Sequence, residues 1–312
     1  MHAVFNVALP VFAIMLCGYL AGRTKILGAG VSEALNGFTY YFALPALFFV
    51  SLAGTPIQQI LNWNFIGATL LAILAVFAAA VAIARVLFPA RVDALSLHAL
   101  AGVFSNTGYM GIPLFVAAFG AKGTVPIIVV SIVQSTTIFL IAVALAELGA
   151  SKSTSRIGVI KDMLRGVALN PLLVSSAAGI ALSLTDTQMP KAFETFFKLL
   201  GDAAGPAALF AMGLFLVGKR IGKAWFEIGW ISLIKLLIMP AAAFVAARYV
   251  FGLPEADVRD LTIACALPTA TLVFVLAQKF NIFTARASGA ILVTTIVSVV
   301  TVSALMIVFG VG

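Results

Sequence analysis

Charge is scarce in this sequence: Asp, Glu, Lys and Arg together make up 10% of its 312 residues. An ordinary soluble domain carries about 25%. So few charges cannot cover a water-facing surface, which excludes a soluble enzyme and a disordered chain together. Cysteine is scarcer still. Cys17 and Cys265 both lie inside apolar runs, with no CxxC pair, zinc spacing or disulfide framework. The only histidines are His2, at the terminus, and His98, near the end of a predicted span, and neither makes a metal site. Apolar residues, by contrast, fill 62% of the chain, and the mean hydropathy is +1.16. These values describe an integral membrane protein.

A helix that crosses a hydrocarbon core of about 30 Å needs roughly 20 apolar residues. By that measure ten spans are predicted, at 3–22, 33–53, 64–88, 94–119, 124–148, 166–184, 194–217, 225–250, 257–280 and 286–309. The connections are short, so function must lie within the bundle. The first span has Arg23 and Lys25 behind it and no basic residue ahead, the reverse of a cleavable signal, and is expected to be retained. Thirteen basic residues fall in the connections after the odd-numbered spans: Arg23, Lys25, Arg85, Arg91, Lys152, Arg156, Lys161, Arg165, Lys219, Arg220, Lys223, Lys279 and Arg286. The opposite side has five, Lys122, Lys191, Lys198, Arg248 and Arg259. The positive-inside rule then makes the odd connections cytoplasmic, with both termini facing outward from the inner (plasma) membrane. The net charge of +8 is spread along that one side and gives no nucleic-acid site.

An internal repeat is visible. Pro10 and Pro171 follow Val-Ala-Leu and Val-Ala-Leu-Asn, and Pro45 and Pro206 open Pro-Ala-Leu-Phe and Pro-Ala-Ala-Leu-Phe; both pairs are 161 positions apart. The same shift carries Thr107 onto Pro268. Five spans per half is an odd number, so the halves insert in opposite senses. The expectation is an inverted repeat, residues 1–149 and 166–312, joined by a cytoplasmic connection at 150–165.

Span four contains Asn106, Gly108, Gly111 and Pro113 within eight residues, and span nine reads Ala266-Leu-Pro-Thr-Ala-Thr271. Both helices should break there, since Gly costs backbone entropy and Pro lacks a donor. Unpaired backbone at membrane depth costs several kcal/mol per group unless it lines a wet cavity or binds something. If the breaks cross near the midplane, the amino ends of the second half-helices converge with about half a positive charge each. That makes an anion site. Asn106 can donate to a carboxylate, with Thr107, Gly108, Tyr109, Pro268, Thr269 and Thr271 around it. Pro45 and Pro206 mark further helix breaks.

Four segments carry a resemblance to a known family: Asn106-Thr-Gly-Tyr-Met-Gly-Ile-Pro113, Asn170-Pro171, Pro206-Ala-Ala-Leu-Phe-Ala-Met-Gly213 and Leu267-Pro268-Thr-Ala-Thr-Leu-Val-Phe-Val-Leu-Ala277. Over essentially the whole chain the sequence resembles the auxin efflux carrier family, with its bacterial malonate or malate permeases and plant PIN-FORMED auxin exporters. The resemblance implies an all-α fold of bile-acid-symporter-like architecture, with broken helices four and nine crossing at the substrate site. It assigns the ligand's carboxylate to Asn106 and the backbone about Pro268. The plant exporters have an asparagine beside the proline of both breaks. Here Thr269 follows Pro268, so that pair of asparagines is not reproduced. The long central hydrophilic loop of the plant members is also absent.

Lys235, in the middle of span eight, costs about 2.5–3.5 kcal/mol at that depth and is expected to face the interior, beside the anion or paired with Asp202. Asp202 is the candidate for proton or cation coupling, because Glu33, Glu147, Glu194 and Asp186 fall near span ends. Gln134, within the polar run from Ser131 to Thr137, either lines the cavity or bonds a neighbouring helix. The Gly18/Gly22 and Gly201/Gly205 spacings point to close helix packing. The leading expectation is a secondary transporter of a small organic anion, a mono- or dicarboxylate or auxin-like acid, working by alternating access. A passive anion channel and a sodium-coupled organic-anion symporter are the alternatives. An intramembrane enzyme is least favoured, because there is no Asp-rich motif, HExxH or Ser/His dyad. The expected partners are the anion, the lipid bilayer and a second copy of the chain as a homodimer, with no cofactor.

Overall fold

A computed structural model describes residues 7–28, 30–88, 92–120, 123–149, 165, 168–185, 187, 189–219, 224–279 and 281–311. Among them all regular structure is helical, apart from one isolated bridge between Ser105 and Thr269. The first half contains α1 (Leu9–Arg23), α2 (Val31–Ala53), α3 (Trp63–Leu87), α4 (Val92–Val103), α5 (Thr107–Phe119) and α6 (Thr124–Gly149). The second contains α7 (Pro171–Leu184), α8 (Lys191–Leu216), α9 (Trp225–Val250), α10 (Glu255–Ala266), α11 (Leu272–Lys279) and α12 (Thr284–Val308). Five of these are long and apolar enough to cross a bilayer: α2, α3 with the single turn Ile57–Ile60 ahead of it, α8, α9 and α12. Predicted spans four and nine are each in two pieces. The expected connection at 150–165 lies outside the described residues except for Arg165, as do His2, Arg91, Lys122, Asp186, Arg220 and Lys223.

Helix starts follow from local chemistry. Asn62 caps α3 by accepting from the Phe65 amide at 3.1 Å. Asn170 caps α7 by accepting from Leu172 at 2.9 Å, and Pro171 occupies the first turn, where no donor is required. The prolines deeper in the chain do something else. Wide, π-type turns at Thr39–Ala43, Thr107–Gly111 and Ile234–Ile238 each precede a proline by one residue: Pro45, Pro113 and Pro240. Widening the turn relieves the clash of the ring with the preceding turn and accommodates its missing donor. Pro45 and Pro113 therefore do not break their helices. The break of span four falls at 104–106, ahead of α5.

Two packing groups result. The most extensive contacts join α1 to the Ala204–Leu216 half of α8, and α7 to the Leu44–Ala53 half of α2. Backbones touch at glycine in both. A Cβ on Gly18 would overlap the Phe210 carbonyl, one on Gly213 would overlap the Met15 carbonyl, and one on Gly179 would lie 2.8 Å from the Phe49 carbonyl. The expected close packing at Gly18 is thus present. Around the broken helices, α3, α4, α6, α9, α10, α11 and α12 make a second group, which meets the first along α5 and α8.

Gly18→Ala and Gly213→Ala are each expected to destabilise the protein by about 1–3 kcal/mol, the usual cost of overpacking. Gly229, exposed in α9 with open space around it, is the control. Thermal unfolding in detergent should show lowered midpoints for the first two and an unchanged or raised one for Gly229→Ala. Equal midpoints for all three would show that these contacts do not carry the interface.

Candidate functional site

The two breaks meet. Segments 104–106 and 268–270 run antiparallel, with the Asn106 amide donating to the Pro268 carbonyl at 2.8 Å and the Ala270 amide donating to the Phe104 carbonyl at 2.9 Å. The two central amides point away from this pairing and find side chains instead. Ser105 donates to Gln134 Oε1 at 3.2 Å, and Thr269 donates to Thr294 Oγ1 at 3.1 Å. The loose carbonyls at the ends of α4 and α10 are also met. Thr269 Oγ1 donates to the Ala101 carbonyl at 2.7 Å, and Lys235 Nζ donates to the Cys265 carbonyl at 2.7 Å and to Ser105 Oγ at 2.8 Å. Each of these groups left bare in hydrocarbon would cost several kcal/mol.

Beside the crossing lies a cavity of about 610 Å³. Asn106, Thr107, Gly108 and Tyr109 form one side, Ala270, Thr271 and Leu272 the other, and Tyr40, Phe48 and Phe215 part of the wall. Asn106 is 3% exposed. Its Oδ1 accepts from the Tyr109 amide at 3.4 Å, while its Nδ2 meets only Met212 Sδ, at 3.7 Å, a weak acceptor. Among the described residues no protein acceptor meets the amides of Gly108, Thr271 or Leu272. Two helix N-termini, of α5 and α11, therefore present free donors to one cavity. Among the described residues no Lys, Arg or His is part of the lining, and Glu33, exposed, is the one acid. At one edge Lys219, beyond the end of α8, stacks on Phe215 and Phe274 with its ammonium 4.4 and 4.1 Å from the ring centroids. Partial burial lowers its pKa from the usual lysine value.

Of the residues singled out from the sequence, Asn106, Thr107, Gly108, Tyr109 and Thr271 line the cavity together. Gln134, Pro268 and Thr269 are occupied in holding the crossing, and Ser131 and Ser135 reach the cavity from the polar run. Lys235 is fully buried behind the crossing, outside the lining. Asp202 is exposed in α8, and the pair with Lys235 does not form; Lys235 is held by Ser105 and Cys265. At the crossing Ser105 faces Thr269.

The sequence reading missed one ionic cluster. His98 Nδ1 lies 3.0 Å from Glu227 Oε1, and Arg286 Nε lies 3.0 Å from Glu227 Oε2, which ties the middle of α4 to the starts of α9 and α12. The three residues are far apart in the chain, and no spacing signals their meeting.

Residues 3–306 match the family described as Membrane transport protein. The chain belongs to the auxin efflux carrier family. A protein of Rhizobium meliloti (strain 1021) named "Putative malonate transporter" is 32% identical over 307 residues, 98% of this chain and 96% of that one. The uncharacterized transporter YfdV of Escherichia coli (strain K12) is 24% identical over 94% of this chain and 93% of its own. The lysosomal cholesterol signaling protein of Mus musculus is 28% identical over 76% of this chain, a stretch that is 29% of the mouse protein. The protein is thus a multi-pass membrane transporter and not an enzyme.

Gln134→Leu would strand the Ser105 amide, at a cost of about 1–3 kcal/mol. A lowered thermal midpoint is expected for it and not for Ser135→Ala; a wild-type midpoint for Gln134→Leu would remove Gln134 from the support of the crossing.

Proposed function

We propose that the protein is a secondary carrier of a small organic anion, a mono- or dicarboxylate, held at the crossing by its carboxylate. The observation that carries this reading is a set of weakly held or free donors in one cavity: Asn106 Nδ2, which meets only the weak acceptor Met212 Sδ, and the amides of Gly108, Thr271 and Leu272, which have no protein acceptor among the described residues. A carboxylate there accepts several charge-assisted hydrogen bonds and gains from two helix dipoles, and a cation would meet the wrong end of both. The name of the Rhizobium relative agrees with a carboxylate cargo.

Alternating access requires one packing group to move against the other, and a ten-span inverted repeat of residues 1–149 and 166–312 supplies the two groups. Packing supports this symmetry. Gly18 rests on the Phe210 carbonyl and Gly179 on the Phe49 carbonyl, and each residue of the first contact maps onto one of the second by the shift of 161. Gln134 on Ser105 and Thr294 on Thr269 are a second matched pair. With the odd connections cytoplasmic, the cavity residues Glu33, Asn36, Leu172 and Phe215 lie toward the cytoplasmic ends of their helices, so this conformation is inward-facing. Both termini then face outward from the inner membrane.

Counterflow of labelled malonate into proteoliposomes loaded with unlabelled acid is the test, repeated with monocarboxylates and aromatic acids. Saturable counterflow is expected. Asn106→Ala, expressed at the wild-type level, should lose about tenfold or more, in line with roughly 1.5–3 kcal/mol for a hydrogen bond to a charge. Flux that never saturates would indicate a channel, and absence of flux for every acid would overturn the reading.

A further inference from the structure

We propose that the Lys235 ammonium is a resident substitute for a coupling cation: it fills the oxygen-lined position at the carboxyl end of α10, so the carrier runs without sodium. The crossing is nearly two-fold symmetric, and Lys235 is where the symmetry fails. On one side the loose carbonyl of Ala101 is met by a neutral hydroxyl, that of Thr269, at 2.7 Å. On the other, the matching carbonyl of Cys265 is met by the Lys235 ammonium at 2.7 Å, with the Ser105 hydroxyl 3.4 Å away. The ammonium also lies 2.8 Å from Ser105 Oγ.

Three physical points support the assignment. The last carbonyls of a helix carry its negative end, and in transporters with broken helices such ends, with unwound backbone, coordinate the coupling ion. Oxygen donors of this kind suit a hard cation, and here the cation is tethered to the chain. Next, Lys235 is 0% exposed, and among the described residues no carboxylate lies within ion-pair distance of it, so its charge is offset by these oxygens and by the end of α10. Lastly, Lys235 sits in the wide turn Ile234–Ile238 ahead of Pro240, outside the cavity lining. It is therefore a positioning residue that keeps the two segments locked and adds positive potential behind the anion without touching it.

The inference rests on the carrier reading above, and the two can fail separately. Counterflow by the wild type tests the carrier; its cation dependence tests Lys235. At constant ionic strength, wild-type counterflow is expected to be the same in sodium chloride and choline chloride, and a requirement for sodium would overturn the proposal whatever the variants do. Lys235→Ala opens the oxygen-lined position. Its thermal midpoint in choline chloride should fall below wild type and shift upward in sodium chloride or methylammonium chloride, with counterflow recovering in parallel. Lys235→Met fills the space without charge and should show the loss and no such recovery. A folded Lys235→Ala that responds to small cations no more than the wild type would also overturn it.

Discussion

A peptide group taken out of its helix inside hydrocarbon must find another partner, and the architecture of this transporter is arranged around meeting that demand at two places. Where α4 and α10 stop, neither chain can look to water, and each finds partners on the other. The result is two backbone bonds between 104–106 and 268–270, with Gln134 and Thr294 taking the amides that face away. At the two breaks, the amides of Gly108, Thr271 and Leu272 at the starts of α5 and α11 have no protein acceptor among the described residues, and they open into the cavity beside the crossing. Paired and free backbone groups are thus divided between the two ends of each break. The ends that stop are closed by protein, and the ends that start keep amides that face the cavity.

The division into two packing groups follows from side-chain size. Glycine at Gly18, Gly179 and Gly213 lets backbones touch, which joins α1 to α8 and α7 to α2 through close van der Waals contact, the main attraction available between helices in lipid. The group built on the crossing adds to its apolar packing the hydrogen bonds of the crossing and the contacts of Glu227 with His98 and Arg286. Between the groups the contacts are fewer and include the aromatic residues at the cavity edge, Phe215 and Phe274, bridged by Lys219. A body with a bonded interior and a softer boundary is suited to moving as a unit.

Much of this was legible in the sequence, because composition and periodicity are local properties. Hydrophobic runs marked long apolar helices, and Gly and Pro clusters marked the spans that come in two pieces. That Asn106 and the residues after it stand at a break was also legible, and the structure places Asn106, Thr107, Gly108 and Tyr109 together in the lining of one cavity. Pro113 misled because a proline can be absorbed by a wide turn, and nothing in a one-dimensional pattern tells a widened helix from a broken one.

The sequence by itself determined that this chain lives in a membrane and which helices are interrupted. These follow from the cost of exposing charge or bare peptide to hydrocarbon, a cost paid residue by residue. Only the tertiary structure decided what each polar side chain does. Gln134, Thr269 and Lys235, each open to more than one role in the sequence, close the crossing from behind, and Asp202 turns outward while Glu227 is drawn in. The physical reason is that a hydrogen bond or ion pair depends on a few tenths of an ångström between atoms that may be more than a hundred residues apart, and that distance exists only once the helices have packed.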